Sequence, residues 1–405
     1  MDNPCLTDSD SFGNLSKVYE TLSIYRSYPN VKQAAIMPDA CYSGANSLSV
    51  GGVIAVENAI IPSAHSADIC CSVATTVIND KSINLKSILD AAQAITHFGA
   101  GGRTDDRFSH EFAMFEEAFQ NNRYLKGSKV LSKGMYHLGT QGDGNHFLYV
   151  GSLKMKGHAK LPTITTHHGS RGVGAELYKI GIKISETFRK NFAPSVPKNM
   201  CWIPFDSPEG KEYWDALILV RTWTKFNHMV LHEAIEDYLE IEDSDFSWNP
   251  HNFVFKRGNM FYHAKGSTPI DTDFEVECDD PHLTDRRYVP LNMSEPILIL
   301  EAGTGNHFGF APHGAGRLIS RSEHKRRLNE KGITEEEAYL EETEGIDARF
   351  VGKPDCSELP SAYKNANQVI KDIDKYKLGN LIGTIEPYGC IMAGHQPKPW
   401  LKKKI

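Results

Sequence analysis

Residues 313–317 read His-Gly-Ala-Gly-Arg, an imidazole set directly before two glycines and an arginine. Glycine leaves backbone N–H groups open to close approach by a ligand. Successive N–H groups in such a turn form an anion-binding concavity, and an arginine beside it can clamp phosphate with two parallel hydrogen bonds. The segment therefore reads as a phosphate pocket with His313 at its mouth, as metal ligand, general acid or base, or nucleophile for a phosphoryl or nucleotidyl group. A glycine turn with a packed or capping histidine would have the same sequence.

Other segments offer metal ligands. Asp68 and Cys71 share a short turn in "SADICCS" and can reach one cation; thiolate with carboxylate suits a borderline divalent metal, and the thiolate can bridge two ions. Asn145-His146 stand between a glycine turn and a strand, His167 ends a Thr/Ile strand before Gly-Ser-Arg-Gly, and His251-Asn252 begin another strand. Junctions of this kind put side chains where loops converge. Any one such histidine is more often structural than ligating, but three of them with Asp-x-x-Cys make a metal cluster. His228 and His232 have the spacing of a zinc pair on one helical face. Their glutamate follows the second histidine, unlike HExxH, and the surroundings are plain amphipathic helix, so this pair reads as structural.

Apolar periodicity supplies the elements that must hold these groups. Residues 33–76 read as strands broken by Gly and Pro, and 251–265 and 295–301 also as strands. Helices are expected at 85–98, 109–119, 175–190 and, most clearly, 211–240. A further helix near 335–342 opens with a capping box, Thr334 with Glu337. Helices and strands mix without a βαβ rhythm, so the fold class is α+β: one large mixed domain over 1–405, with 1–30 and the basic tail 395–405 as peripheral segments. The 405 residues are 40% hydrophobic and 23% charged, an ordinary globular composition. A net charge of −7 excludes a nucleic-acid polycation and demands a local basic patch if nucleic acid binds; Arg317–Arg327, Lys154–Lys160 and the terminal "LKKKI" are the candidates. The N-terminus lacks signal-peptide features, no apolar run reaches membrane-spanning length, and eight scattered cysteines fit reduced thiols, so the expected location is cytoplasmic.

Taken in order, "AIMPDACYSGANSLSVGGVIAVENAIIPSAHSADICC", "HLGTQGDGNHF", "HHGSRGVG", "PHNF", "HAKGS", "PLNMSEPILILEAGTGN" and "APHGAGRLISR" make the chain resemble the RtcB family from about residue 34 to 394. These are GTP-dependent ligases that join RNA 3′-phosphate or 2′,3′-cyclic phosphate ends to 5′-hydroxyl ends. The resemblance implies that His313 attacks the α-phosphate of GTP and is guanylylated. It implies two Mn²⁺ ions, one held by Asp68, Cys71 and His146 and the other by Cys71, His167 and His251, with Zn²⁺ as a substitute because Cys and His bind it at least as tightly. Asn145, Asn252 and the backbone of His313, Gly314, Ala315 and Gly316 would contact GTP or its metals. RNA would run past Arg171, Arg317, Arg321, Lys325 and Arg326. Some members use an activating protein, and a monomer is the expectation by resemblance.

The chain departs from the family pattern in several places. Cys41 stands where a histidine is usual, "DICCSV" replaces Asp-Ile-Gly-Cys-Gly-Met, and Tyr149 takes the place of a glutamate. Ala264-Lys265-Gly266-Ser267 replaces Arg-Lys-Gly-Ala, and Ala393 matches the lysine that contacts the guanine nucleotide. All the implied metal ligands and the nucleophile are retained. The primary reading is an RNA-repair or tRNA-splicing ligase. The alternative is a catalytically impaired relative that binds metal and nucleic-acid ends without nucleotidyl transfer.

Overall fold

Two runs of small and β-branched residues build the centre of the largest sheet. Ser72–Ile78 (SVATTVI) and Pro162–His168 (PTITTHH) are buried at every position. Branched side chains pack well on a pleated surface, and most of the buried hydroxyls find partners: Thr75 with Thr165 at 3.0 Å, and Thr76, Thr166 and Ser72 with His232 and His228. The computed structural model describes residues 12–275, 280, 282–303 and 308–395. Within them the large sheet runs in the order Ser244–Pro250, Ser72–Ile78, Pro162–His168, Phe147–Met155, Asn380–Ala393, Ile297–Glu301, Arg286–Pro290, with Asp347–Val351 paired parallel to Asn380–Ala393. The other pairings are antiparallel.

Period-two alternation gives this sheet two apolar faces. Leu148, Val150, Ile164, Ile391 and Ala393 pack with Ile88 and Leu89 of the Leu85–Ile95 helix. Tyr149, Leu153, Val73, Cys390 and Met392 face the opposite way. A second, four-stranded antiparallel sheet has the order Val31–Cys41, Val50–Glu57, Met260–Lys265, Asn252–Arg257. The fold is α+β with mixed sheets, as the element pattern indicates.

Several boundaries differ from the sequence reading. The helix expected at 85–98 stops at Ile95, because Thr96 is extended (φ −81, ψ 134) and His97–Phe98 pair with Thr140–Gly142. The long helix starts earlier, at Pro208, where the Ser207 side chain accepts from the Gly210 N–H; it ends at Tyr238. The helix expected from 175 starts at Arg171 and runs to Phe192. The capping box of Glu335–Glu342 forms as read. Helices Phe12–Arg26, Ser128–Tyr136, Arg321–Glu330 and Ala366–Lys375 were not anticipated. The first of these buries Val18, Leu22 and Tyr25. The "LKKKI" tail lies outside the described residues, as does the end of the "EAGTGN" segment.

Candidate active site: a cysteine and histidine centre beside a cavity

Strand register gathers the ligating residues at one end of the large sheet. Ser72 pairs with both Pro250 and His168, so Cys71, His251 and His167 emerge at the same level. His167 pairs in turn with Phe147, which brings up His146. Cys70 sits at φ 57, an unfavourable conformation for a residue with a side chain. It is held by its N–H donating to the Asn252 carbonyl at 2.6 Å, while the Cys71 carbonyl accepts from the His251 N–H at 2.9 Å. These bonds aim the Cys71 thiol into the cluster. A Cβ at Gly169 would lie 2.2 Å from an Asp68 oxygen, so only glycine lets the 167–171 turn pass this carboxylate.

The polar atoms converge. Cys71 Sγ lies 3.2 Å from His167 Nε2 and 3.7 Å from His146 Nε2. His146 Nε2 is 2.9 Å from Asp68 Oδ2, and the Nε2 atoms of His167 and His251 are 3.2 Å apart. Burial, reinforced by neighbouring histidines, pushes His167 and His251 well below the ordinary imidazole range, so both are neutral and present lone pairs. Burial opposes ionisation of Asp68, but His146 and Arg171 outweigh it and hold the carboxyl below its usual value. Burial, and then Asp68, raises the Cys71 thiol well above its usual range. Two imidazole nitrogens and a thiol meeting this closely form a donor set that could hold a cation. The groups Cys71–His167–His251 and Asp68–Cys71–His146 each place their ligand atoms within 4.8 Å of one another, with Cys71 common to both. The donor set fits two borderline divalent ions sharing a thiolate. His228 and His232 stand behind the centre, hydrogen-bonded to Ser72, Thr76 and Thr166, with His228 stacked on His168 at 3.5 Å; they act as packing, as their sequence context suggested.

His313 reaches the centre from another direction. Ser267 pairs with Pro312, and the Ser267 N–H donates to the His251 carbonyl. The His313 and His251 ring centroids are 4.7 Å apart. Its Nδ1 lies 2.5 Å from Oδ2 of Asp39, which is fully buried and also accepts the His313 backbone N–H at 3.1 Å. A carboxylate there accepts an Nδ1–H, and the tautomer that donates it carries its lone pair on Nε2. Asp39, from "MPDA", was missed in the sequence, where nothing local marks it, since its partner is 274 residues away. Asp39→Asn is expected to slow any reaction that uses His313 as nucleophile by on the order of 10²-fold or more. Metal content should not change, and a fall in both together would make Asp39 merely structural.

A cavity of about 550 Å³ opens beside His313, walled by Asn145, Phe147 and Tyr149, by 290–293 and by 313–321. Tyr149 donates its hydroxyl to the Ile385 and Glu295 carbonyls and offers the cavity a ring, not a charge. Met392 lines the cavity, whereas Ala393 is buried on the other sheet face, so a lysine at 393 would point away from it. Asn252 spends its side chain on the backbone, accepting from Gly266 N–H at 2.6 Å and donating to the Asp68 carbonyl at 3.4 Å. The expected basic residues divide. Arg317 and Arg321 line the cavity, backed by the buried Glu358. Arg171 lies inside, donating to Thr140 and to the Gly99 carbonyl. Lys325 pairs with Asp355, and Arg326 with Glu323 and Glu330. Lys265 was quoted in a motif but given no role. Its ammonium rests on Ser43 and Ser47 at 2.8 and 2.6 Å and has no carboxylate partner among the described residues. Burial lowers it to about 8, with Cys41 acting in the opposite sense.

The family model described as "tRNA-splicing ligase RtcB" matches residues 23–393. Among curated proteins, the tRNA-splicing ligase RtcB of Methanocaldococcus jannaschii is 24% identical over 72% of this chain and 33% of its own length. That of Aeropyrum pernix is 25% identical over 64% of this chain and 60% of its own. The RNA-splicing ligase RtcB of Mycobacterium tuberculosis is 23% identical over 65% and 66%. The matches thus span from a third to two thirds of these relatives.

Proposed function

Because the chain belongs to the RtcB family, we propose that it is an RNA ligase that joins 3′-phosphate or 2′,3′-cyclic phosphate ends to 5′-hydroxyl ends through a nucleotidylated His313, in RNA repair or tRNA splicing. The observation that carries this reading is the placement of His313: Nδ1 on the Asp39 carboxylate, ring against His251, Gly-Ala-Gly turn beside the cavity. His313 Nε2 attacks the α-phosphorus of GTP, an N–P bond forms and pyrophosphate leaves. Water first opens a 2′,3′-cyclic end at its P–O2′ bond to leave a 3′-phosphate; the guanylyl group passes to that phosphate, and the 5′-hydroxyl then attacks it and expels GMP. Asp68, Cys71 and His146 would hold one Mn²⁺, and Cys71, His167 and His251 the other; Zn²⁺ competes for the same donors. The metals would supply charge neutralisation on the phosphates. Asn145 and the 313–316 backbone face the nucleotide, and Asn252 acts by holding Gly266 and Asp68 in place.

Arg317 and Arg321 guide RNA into the cavity, with Lys325 and Arg326 farther along their helix and Arg171 supporting Asp68 from within. Lys265, a cation on two hydroxyls and next in the chain to Gly266, which lies against His313, is the seat for the terminal phosphate. Losing one charge-assisted contact costs about 1.5–3 kcal/mol, so Lys265→Ala should raise the KM for 3′-phosphorylated RNA by roughly ten- to a hundredfold. The ammonium is present below pH 8 and lost above it, so wild-type KM should climb through about pH 8. A flat profile, or a variant with unchanged KM, rules out this role. The protein is proposed to act in the cytoplasm; no described helix is long and apolar enough to cross a membrane. The chain is proposed to work as a monomer, with any activating protein acting at the cavity mouth.

Tyr149 favours a second reading, a metal- and RNA-end-binding protein without nucleotidyl transfer. Its hydroxyl is committed to backbone carbonyls and supplies no acid where family members carry one. The assay that decides joins 3′-phosphate and 5′-hydroxyl RNA with Mn²⁺ and GTP; ligation supports the first reading, and metal-loaded protein that binds ends without joining them supports the second.

A further inference from the structure

Outside the Cys71 centre a second set of ligating side chains converges. Glu335 opens the Glu335–Glu342 helix, Asp355 and Cys356 lie at the start of the short turn Cys356–Glu358, and His395 follows the strand Asn380–Ala393. One ligand atom from each of Glu335, Asp355 and Cys356 lies within 4.8 Å of the other two, and Cys356 is fully buried. His395 Nε2 joins them, 3.2 Å from Glu335 Oε2 and 3.6 Å from Asp355 Oδ1. The chain delivers it through an antiparallel bridge to Lys353, with the His395 N–H donating to the Lys353 carbonyl at 2.7 Å.

The hydrogen bonds within this group conflict. His395 Nε2 faces Lys325 Nζ at 3.0 Å as well as the Glu335 carboxylate. As a lone pair it accepts from the ammonium but repels the carboxylate; as N–H it does the reverse. Lys325 Nζ also lies 3.2 Å from Asp355 and 3.7 Å from Glu335, so a single positive charge stands among two carboxylates, an imidazole and a thiol. A divalent ion among Glu335, Asp355 and Cys356 satisfies both carboxylates and the sulfur, with the His395 imidazole beside the two carboxylates. Lys325, about a third exposed, can turn outward to water.

We propose that Glu335, Asp355, Cys356 and His395 form a structural site for a borderline divalent cation, zinc by donor type, pinning the end of the Asn380–Ala393 strand to the Glu335–Glu342 helix. Thiolate, imidazole and carboxylate are all zinc donors. On binding, the Cys356 proton passes to solvent. The site is independent of the ligation chemistry.

Zinc titration of the metal-stripped full chain, read by bound-metal stoichiometry, tests it. Cys71→Ser should keep one tight zinc equivalent, and adding Cys356→Ser to it should remove that equivalent. Glu335→Gln, at a half-exposed position where folding is safe, should weaken that equivalent by on the order of 10²-fold. Lys325→Ala should tighten it by removing the competing ammonium. Equal zinc affinity in Cys71→Ser and Cys71→Ser/Glu335→Gln, or weaker binding in Lys325→Ala, overturns the proposal and leaves the cluster an ordinary ion-pair network.

Discussion

Alanine at position 313 is expected to lower RNA joining by on the order of 10⁴-fold or more while leaving the bound metal unchanged. The nucleophile is the one group for which the site has no substitute, and removing such a group commonly costs most of the chemical step. His313 touches the metal centre only through ring packing on His251, at 4.7 Å between centroids, and belongs to neither ligand group. Its side chain is about one-seventh exposed, so truncation opens the cavity instead of emptying a core position. A specific rescue follows from the order of steps. RNA whose 3′-phosphate already carries a guanylyl group bypasses His313, so the variant should still join it to a 5′-hydroxyl end. Loss of joining on that substrate as well, or loss of metal, would show that His313 serves the centre as a whole and not the first step.

Serine at position 71 is expected to reduce bound Mn²⁺ from two ions to fewer than one and to abolish joining. Cys71 is common to both ligand groups, so one substitution strikes both. A hydroxyl is neither acidic nor soft enough to bridge two such ions. The metal-free fold should survive, because serine is close to isosteric and the bonds that shape the loop come from the Cys70 N–H and the Cys71 carbonyl. The wild-type pH dependence has a fixed sign. Burial and then Asp68 hold the Cys71 thiol well above its usual range in the metal-free protein. Metal must displace that proton, so occupancy rises with pH and falls on acidification. Metal content that is equal in Cys71→Ser and wild type, or independent of pH, would remove Cys71 from the centre.

The ligating residues were legible in the sequence because each stands at a strand–turn junction, a feature of local pattern. Their convergence was not: it depends on Ser72 pairing with both His168 and Pro250, a register no local pattern encodes. Asp39 was invisible for a related reason. Its partner is 274 residues away, and a lone aspartate in an apolar strand has no local signature. Period-two alternation could have shown that residues 392 and 393 face opposite ways. The structure turns Met392 to the cavity and Ala393 to the other sheet face. The helix Arg321–Glu330 escaped because its sequence, RSEHKRRLNE, has almost no apolar stripe. It is held by the Ser320 cap and by Arg326 and Arg327 pairing with Glu323. Those same pairs engage charges that the sequence reading set aside for RNA. Lys265, by contrast, acquires meaning only when tertiary structure places it on Ser43 and Ser47, more than 200 residues earlier in the chain.

The central claim is that His313 becomes covalently bonded to a nucleotide. Intact mass after incubation with Mn²⁺ and each nucleoside triphosphate in turn, wild type against His313→Ala, tests it most directly. The predicted result is a nucleoside monophosphate adduct with GTP on the wild type and none on the variant. A folded, metal-loaded wild type that forms no adduct with any nucleotide would contradict it.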